Sequence, residues 1–299
     1  MPALAQQGRN WLFRQLRRLA RGSHGLKTKQ AMNLALDILE ANGVTEIAVR
    51  DGVGHKVWLP TADRVIASGV LRHGHYSLDL MERFGEAIRA HGIEPAAHTF
   101  VNVGANIGTS CLNAYRIGFR RLVAIEPDAR NFGLLAKNLA HLDGADVRLE
   151  NIAIGEAAGC ATLHLHGTNH GAHSMAMPSK RHSAGAAEVP VRPLPAVLPA
   201  GEPFILLVDV EGFEPEVISG GLELILAQCR AICLEIAPSR YSEKGKRVLA
   251  DFASRFSPSF VHVPSGETRS TSRLLEAMEA RSRDRFFDAI MVSGNTTVR

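Results

Sequence analysis

From Pro95 onward, short apolar runs alternate with helix-length amphipathic stretches, and that rhythm leaves few folds open. It is the pattern of a largely parallel sheet built from strand–helix–strand units. Runs that read as strands occupy Thr99–Val103, Leu122–Glu126, Asp146–Glu150, Phe204–Val210, Ala231–Ile236, Ser259–Val263 and Phe286–Val292. Helical periodicity fills the gaps at about Ile107–Ile117, Asn131–His141, Glu214–Ala227 and Ser242–Phe256. Between the third and fourth strands, Gly167–Gly185 is rich in Gly, Ser, His and Ala and reads as a long loop. Loops of that length in compact domains tend to bind ligands or act as lids.

The segment before Pro95 has another character. Arg9, Arg14, Arg17, Arg18 and Arg21 crowd the start without an acid among them, while Trp11, Leu12, Leu16 and Leu19 share one side of a helix. Residues 1–25 therefore read as a basic amphipathic leader helix, suited to peripheral contact with an anionic membrane surface or to docking on an acidic partner or its own domain. No uninterrupted apolar core follows it, so a secretory signal is not expected. Residues 26–94 read as an accessory cap with helices at Gln30–Leu39 and Leu78–Ala90. Between them lies a hairpin, Glu46–Arg50 with Lys56–Leu59, turning around Asp51-Gly52.

Composition excludes several classes. Hydrophobic residues make up 45% and charged residues 21%, which fits neither a disordered tail nor a multi-span membrane protein. The 4 cysteines, Cys111, Cys160, Cys229 and Cys233, contain no C-x-x-C pair and read as reduced thiols, implying a cytoplasmic setting, with membrane contact at most through the leader.

Val101–Gly108 (VNVGANIG) carries a strand into a helix through Gly104 and Gly108. Such glycines let backbone approach a ligand, and the helix N-terminus offers open N–H groups to an anion. The next strand ends in Glu126-Pro127, about twenty residues on, where a carboxylate is placed to bind ribose hydroxyls. A dinucleotide site would need Gly where Asn106 stands and a further Gly where Cys111 stands. The gap points from NAD toward an adenosine ligand with a carboxylate and no pyrophosphate, which S-adenosyl-L-methionine satisfies.

These residues carry a resemblance. Val101–Gly108, Glu126-Pro127 with Leu135, Asn138 and Leu139, and Leu207–Glu214 (LVDVEGFE) resemble the FkbM family of class I methyltransferases. So do Asn151–Gly155, the Asn169-x-Gly171-x-x-Ser174 loop, Gly220-Gly221 and Glu235. The resemblance implies a Rossmann-like α/β fold with a mostly parallel seven-stranded sheet flanked by helices over residues 95–299, preceded by a small accessory region. It further implies methyl transfer from S-adenosyl-L-methionine to a hydroxyl of a sugar, glycolipid or polyketide-like acceptor. By position, Asn102, Gly104, Ala105, Asn106 and Gly108 would line the methionine end of the cofactor. Glu126 and Pro127 would meet the ribose, Asn151 and Ile152 the adenine, and Asp209 the reacting methyl and acceptor. Two positions depart from the family pattern: Asn102 replaces a usual Asp, and Leu207 a frequent Lys that would tune Asp209.

A sugar hydroxyl needs a base or a metal to become a nucleophile. Asp209, Glu211 and Glu235, at ends of adjacent strands, could hold Mg²⁺ or another divalent cation, or one of them could act as the base. His164, His166, His170 and His173 cluster beside the long loop, and His170 or His173 could touch substrate, with His173 a second candidate base. A nicotinamide oxidoreductase lacks its glycines and its hydride-transfer residues here. Nucleic acid is not an expected partner, because the run used on flipped bases is absent and aromatics are only 6%. A degenerate cofactor-binding scaffold is the remaining alternative.

Overall fold

A computed structural model describes residues 28–176, 182–279 and 286–294. The expected leader helix at 1–25 lies outside the described residues. Two compact units divide the chain, Met1–Tyr76 and Ser77–Arg299.

In the first unit, Thr28–Ala41 (α1) buries Met32, Ala35, Leu36 and Leu39 at helical spacing and packs on Ile66–His73 (α2). The expected hairpin forms from Glu46–Arg50 (β1) and Lys56–Pro60 (β2), antiparallel from Glu46↔Pro60 to Arg50↔Lys56. Its turn is held by Asp51, whose Oδ1 accepts the amides of Val53 and His55. Asp63 Oδ1 accepts the amides of Val65, Ile66 and Ala67 and so satisfies the start of α2.

The second unit opens with Leu78–Ala90 (α3), which packs against Thr109–Arg116 (α4) and the late strand Phe287–Val292. The sequence grouped this helix with the accessory region through residue 94, but its contacts place it in the larger unit. An amphipathic stripe shows that a helix must be covered, not by which body.

The large sheet contains Thr99–Val103 (β3), Arg121–Ile125 (β4) and Asp146–Glu150 (β5), with Ala129–Leu139 (α5) between β4 and β5. A smaller sheet follows, made of Ala153–Ile154 (β6), Gly159–His164 (β7) and Ala186–Arg192 (β8) in the order β6-β8-β7. Phe204–Val208 (β9), Glu214–Gln228 (α6), Cys229–Ile236 (β10), Glu243–Phe256 (α7), Ser259–His262 (β11), Glu267–Ser270 (β12), Leu274–Glu279 (α8) and Phe287–Val292 (β13) complete the unit.

Strand order is β12-β11-β13-β10-β9-β3-β4-β5. The five strands from β10 to β5 pair in parallel, and β13 runs antiparallel between β10 and β11. Every residue of β9 is buried, as a strand covered on both faces requires. The sheet has eight strands, not seven. The extra strand, β12, is the polar run Glu267–Ser270, mostly exposed and paired to β11, so it lacked the apolar pattern that marks a covered strand.

From β3 the chain winds outward through β4 to β5, then returns to place β9 on the other side of β3. The crevice at such a reversal, beyond the carboxyl ends of the strands, is where doubly wound sheets bind ligands.

Candidate active site

At the end of β3 the chain turns sharply. The amides of Gly104 and Ala105 both donate to the carbonyl of Ile125, at 3.0 and 2.9 Å. Gly104 has φ +87°, and a Cβ there would lie 1.9 Å from the carbonyl oxygen of Asp209. Only glycine lets the ends of β3 and β9 approach this closely. Asn106 is also left-handed, at φ +50°, which aims its amide at Glu126 Oε2, 2.8 Å away.

Glu126 is only 5% exposed. Its Oε1 accepts the amide of Asp128 at 2.9 Å, and Asp128 in turn accepts two amides at the start of α5. Burial pushes the Glu126 carboxyl up to about 7, against the pull of the amides of Asp128 and Asn106. The Asn131 side chain is a third hydrogen-bond donor to it, which leaves the carboxylate one of its four lone-pair sites.

Residues 169–176 pass over this cradle as a strap. The side-chain amides of Asn106 and Asn131 both donate to the carbonyl of His170, at 2.8 and 3.1 Å. Further along, Ser174 Oγ donates to the carbonyl of Glu211 at 2.6 Å, which fixes the strap to the turn after β9. Asn169 Oδ1 accepts the amide of Gly171 and shapes the bend between. The cleft thus bounded holds about 490 Å³ of space, open mouth included, and Ile125, Ile152, Ile154 and Leu163 give it apolar walls.

His173 lines this cleft. The amide of His166 donates to its Nδ1 at 3.0 Å, consuming the lone pair a neutral imidazole would use as a base. Burial lowers its pKa to about 4; Asp128 opposes the shift, while His170, His166 and His182 reinforce it. The geometry therefore runs against the expectation of His173 as a general base. His166 Nδ1 accepts the amides of Thr168 and Asn169, so it shapes the loop.

The far end of the cleft is acidic. Asp209 stands at its floor, with its amide bonded to the carbonyl of Val103 at 3.1 Å. Glu211, at φ +57°, pairs with Arg240, whose Nη1 is also 3.6 Å from Glu235. Asp209, Glu211 and Glu235 each bring a carboxylate oxygen within 4.8 Å of the others. Asp209 keeps an exposed face toward the cleft mouth, and the protein packed around the rest of it pushes its carboxyl up to about 6, with Arg240 opposing. Glu235 rises well above the usual range, through burial first and then the Asp209 charge. A side-chain hydrogen bond joins Glu235 and Asp209, which titrate as a pair.

A further carboxylate, Glu214, stood in the sequence only as the end of the Leu207–Glu214 run, with no role given to it. Fully buried at the start of α6, it accepts the amides of Val210 and Gly212, each at 3.0 Å, and pins the turn that carries Glu211. The signal was present as an acid three residues after Glu211, at the first position of a helix, where open amides need an acceptor.

Residues 102–279 match the profile described as the methyltransferase FkbM domain, well over half of the chain. The chain belongs to the FkbM methyltransferase family. It is an S-adenosylmethionine-dependent methyltransferase. A search of proteins of curated function finds no match. Among solved structures, the chain is similar to magnesium protoporphyrin IX methyltransferase from Synechocystis with bound S-adenosylmethionine. Identity is 12%, over 73% of this chain and 79% of that one, with a TM-score of 0.38. It is also similar to a precorrin-6y C5,15-methyltransferase from Geobacter metallireducens, at 11% identity over 72% and 88%, with a TM-score of 0.37. Likenesses this loose carry no argument about activity.

Of the residues the sequence offered for the cofactor of this methyltransferase, Gly104, Asn106, Glu126, Pro127, Ile152 and Asp209 line one cleft. Four others serve it from behind. Asn102 is buried with its amide 3.6 Å from Cys111 Sγ, and its Oδ1 has no hydrogen-bond partner among the described residues. Ala105 is buried beneath the turn. Gly108 makes room for α5: a Cβ there would lie 2.8 Å from Leu135. Asn151 clamps the carbonyls of Glu126 and Pro127, at 2.8 and 3.1 Å. Among the described residues, no helix is long and apolar enough to cross a membrane.

Proposed function

We propose that this methyltransferase moves a methyl group to a hydroxyl of a sugar, glycolipid or polyketide-like acceptor, with Asp209 receiving the hydroxyl proton. The observation that carries the reading is Asp209 itself, a carboxylate at the floor of the cleft whose pKa of about 6 suits a base near neutral pH. The donor set suits the cofactor. A buried carboxylate with a spare lone pair fits a ribose hydroxyl at Glu126, and the apolar walls at Ile125 and Ile152 fit an adenine. When bound, the cofactor supplies an electrophilic methyl on a sulfonium and leaves as a neutral thioether.

The chain's own task is then alignment and proton handling. The turn pinned by Glu214 presents Asp209 and Glu211 beside the cradle. Asp209 takes the acceptor proton as the oxygen attacks the methyl carbon, and the Glu235 hydrogen bond spreads the charge of the waiting carboxylate. Asp209, Glu211 and Glu235 also have the oxygen donors Mg²⁺ prefers. Arg240 already places a positive charge among them, which favours the base reading.

The test is methyl transfer to a panel of hydroxylated acceptors, with Mg²⁺ added or chelated. Wild type should methylate at least one class, and Asp209→Asn should lose about 10²–10⁴-fold in kcat while binding S-adenosylhomocysteine as before. Activity abolished by chelation would move Asp209 and Glu235 from base to metal ligands.

A further inference from the structure

The strap holds one side chain whose chemistry the methyl transfer leaves unused. With the His166 amide bonded to Nδ1 of His173, the ring carries its proton on Nε2, and the imidazole is neutral at physiological pH. Nε2 has no partner among the described residues, although His173 lines the cleft. The strap is anchored directly over Glu126. Asn106, whose amide binds Glu126, and Asn131, in the helix that starts just beyond it, grip the carbonyl of His170 three residues before His173. The His173 ring lies 5.5 Å, centroid to centroid, from the ring of that same His170. His173 therefore sits beside the residue gripped over Glu126, while the strap reaches the Glu211 turn only at the next residue, Ser174.

We infer that His173 is a cofactor-binding residue, a tautomer-locked hydrogen-bond donor from Nε2 to a neutral acceptor atom on the nucleoside half of the cofactor. A neutral N–H suits an adenine ring nitrogen or a ribose oxygen, neither of which needs a cation. The backbone bond to Nδ1 fixes both tautomer and ring orientation before the ligand arrives, so little ordering is left for binding. The inference rests on the reading that places the nucleoside at Glu126 and Ile152.

Calorimetric titration with two probes tests it. S-adenosylhomocysteine carries both halves of the cofactor, and 5′-methylthioadenosine lacks the amino-acid end. His173→Phe keeps the ring and removes the donor, and should weaken both probes by about tenfold, the loss of one hydrogen bond. His173→Gln restores an N–H near the Nε2 position and should bind both within about threefold of wild type. Thermal melts of the two variants separate a lost contact from a lost fold. Wild-type affinity of His173→Phe for both probes would overturn the inference, as would a loss confined to S-adenosylhomocysteine. Failure of wild type to bind either probe would instead overturn the cofactor placement, and the inference with it.

Discussion

A Cβ placed on Gly104 would lie 1.9 Å from the carbonyl oxygen of Asp209, so the cofactor cradle and the acidic floor meet backbone to backbone. The contact joins the two strands on either side of the topological reversal, and Gly104 reaches it at φ +87°. Gly104→Ala must push β3 and β9 apart at their carboxyl ends. It should lower stability by about 1–3 kcal/mol and weaken S-adenosylhomocysteine binding. Gly133→Ala in α5, where a Cβ meets nothing within 4 Å, should instead stabilise by about 0.5–1 kcal/mol. Paired thermal melts read both effects, and equal melts for the two variants would contradict them.

Cofactor affinity should depend on pH through Glu126. Its carboxyl is held up at about 7, and ribose hydroxyls donate best to the ionised form. Affinity should therefore fall as pH drops through about 7, with up to one proton released on binding below that pH. Glu126→Gln should bind more weakly at pH 8 and show a flat profile. Calorimetry across pH 5.5–8.5 measures this, and a flat wild-type profile would exclude the role.

Glu214 holds the turn that presents Glu211. Removing it in Glu214→Ala orphans two amides and should cost about 1–3 kcal/mol, with activity falling alongside. Its carboxyl sits near 7 when folded, against the usual 4.5. The folded state thus keeps a proton that the unfolded chain releases, so this group's contribution to stability declines as pH rises between those values. Denaturant titrations at pH 5 and 8 should show the decline in wild type and a smaller one in Glu214→Gln.

The activity profile should report Asp209 and its neighbouring cation. A base must be ionised, so the rate should climb with pH through about 6. Arg240 pulls that value down, and Arg240→Leu should move the acid limb upward. A limb that stays in place would separate Asp209 from Arg240.

Most of the large sheet was legible because its strands are apolar runs broken by turn residues, as in Phe204–Val208. What stayed hidden lacked that contrast. Glu267–Ser270 is polar and lies at an edge, and Ala186–Arg192 carries Pro190, a residue that argues against a strand, within an otherwise alternating run. Ile66–His73 is short and contains Gly69, which dulls helical periodicity. In the site, Glu126 could be placed from its strand end, and Asp209 through the family resemblance. The grip of Asn106 and Asn131 on His170, and of Ser174 on Glu211, joins residues tens of positions apart, which no local pattern reveals. Asn102 was legible as a motif position, but only packing shows it turned toward Cys111 and away from the cleft.

The most direct single measurement is calorimetric titration of the full-length protein with S-adenosylhomocysteine at pH 8, beside Glu126→Ala. Binding of about micromolar strength by wild type, lost in a Glu126→Ala variant that still melts cooperatively above the assay temperature, is the expected result. No binding by wild type, or equal binding by both proteins, would contradict a cofactor seated on Glu126 in this cleft.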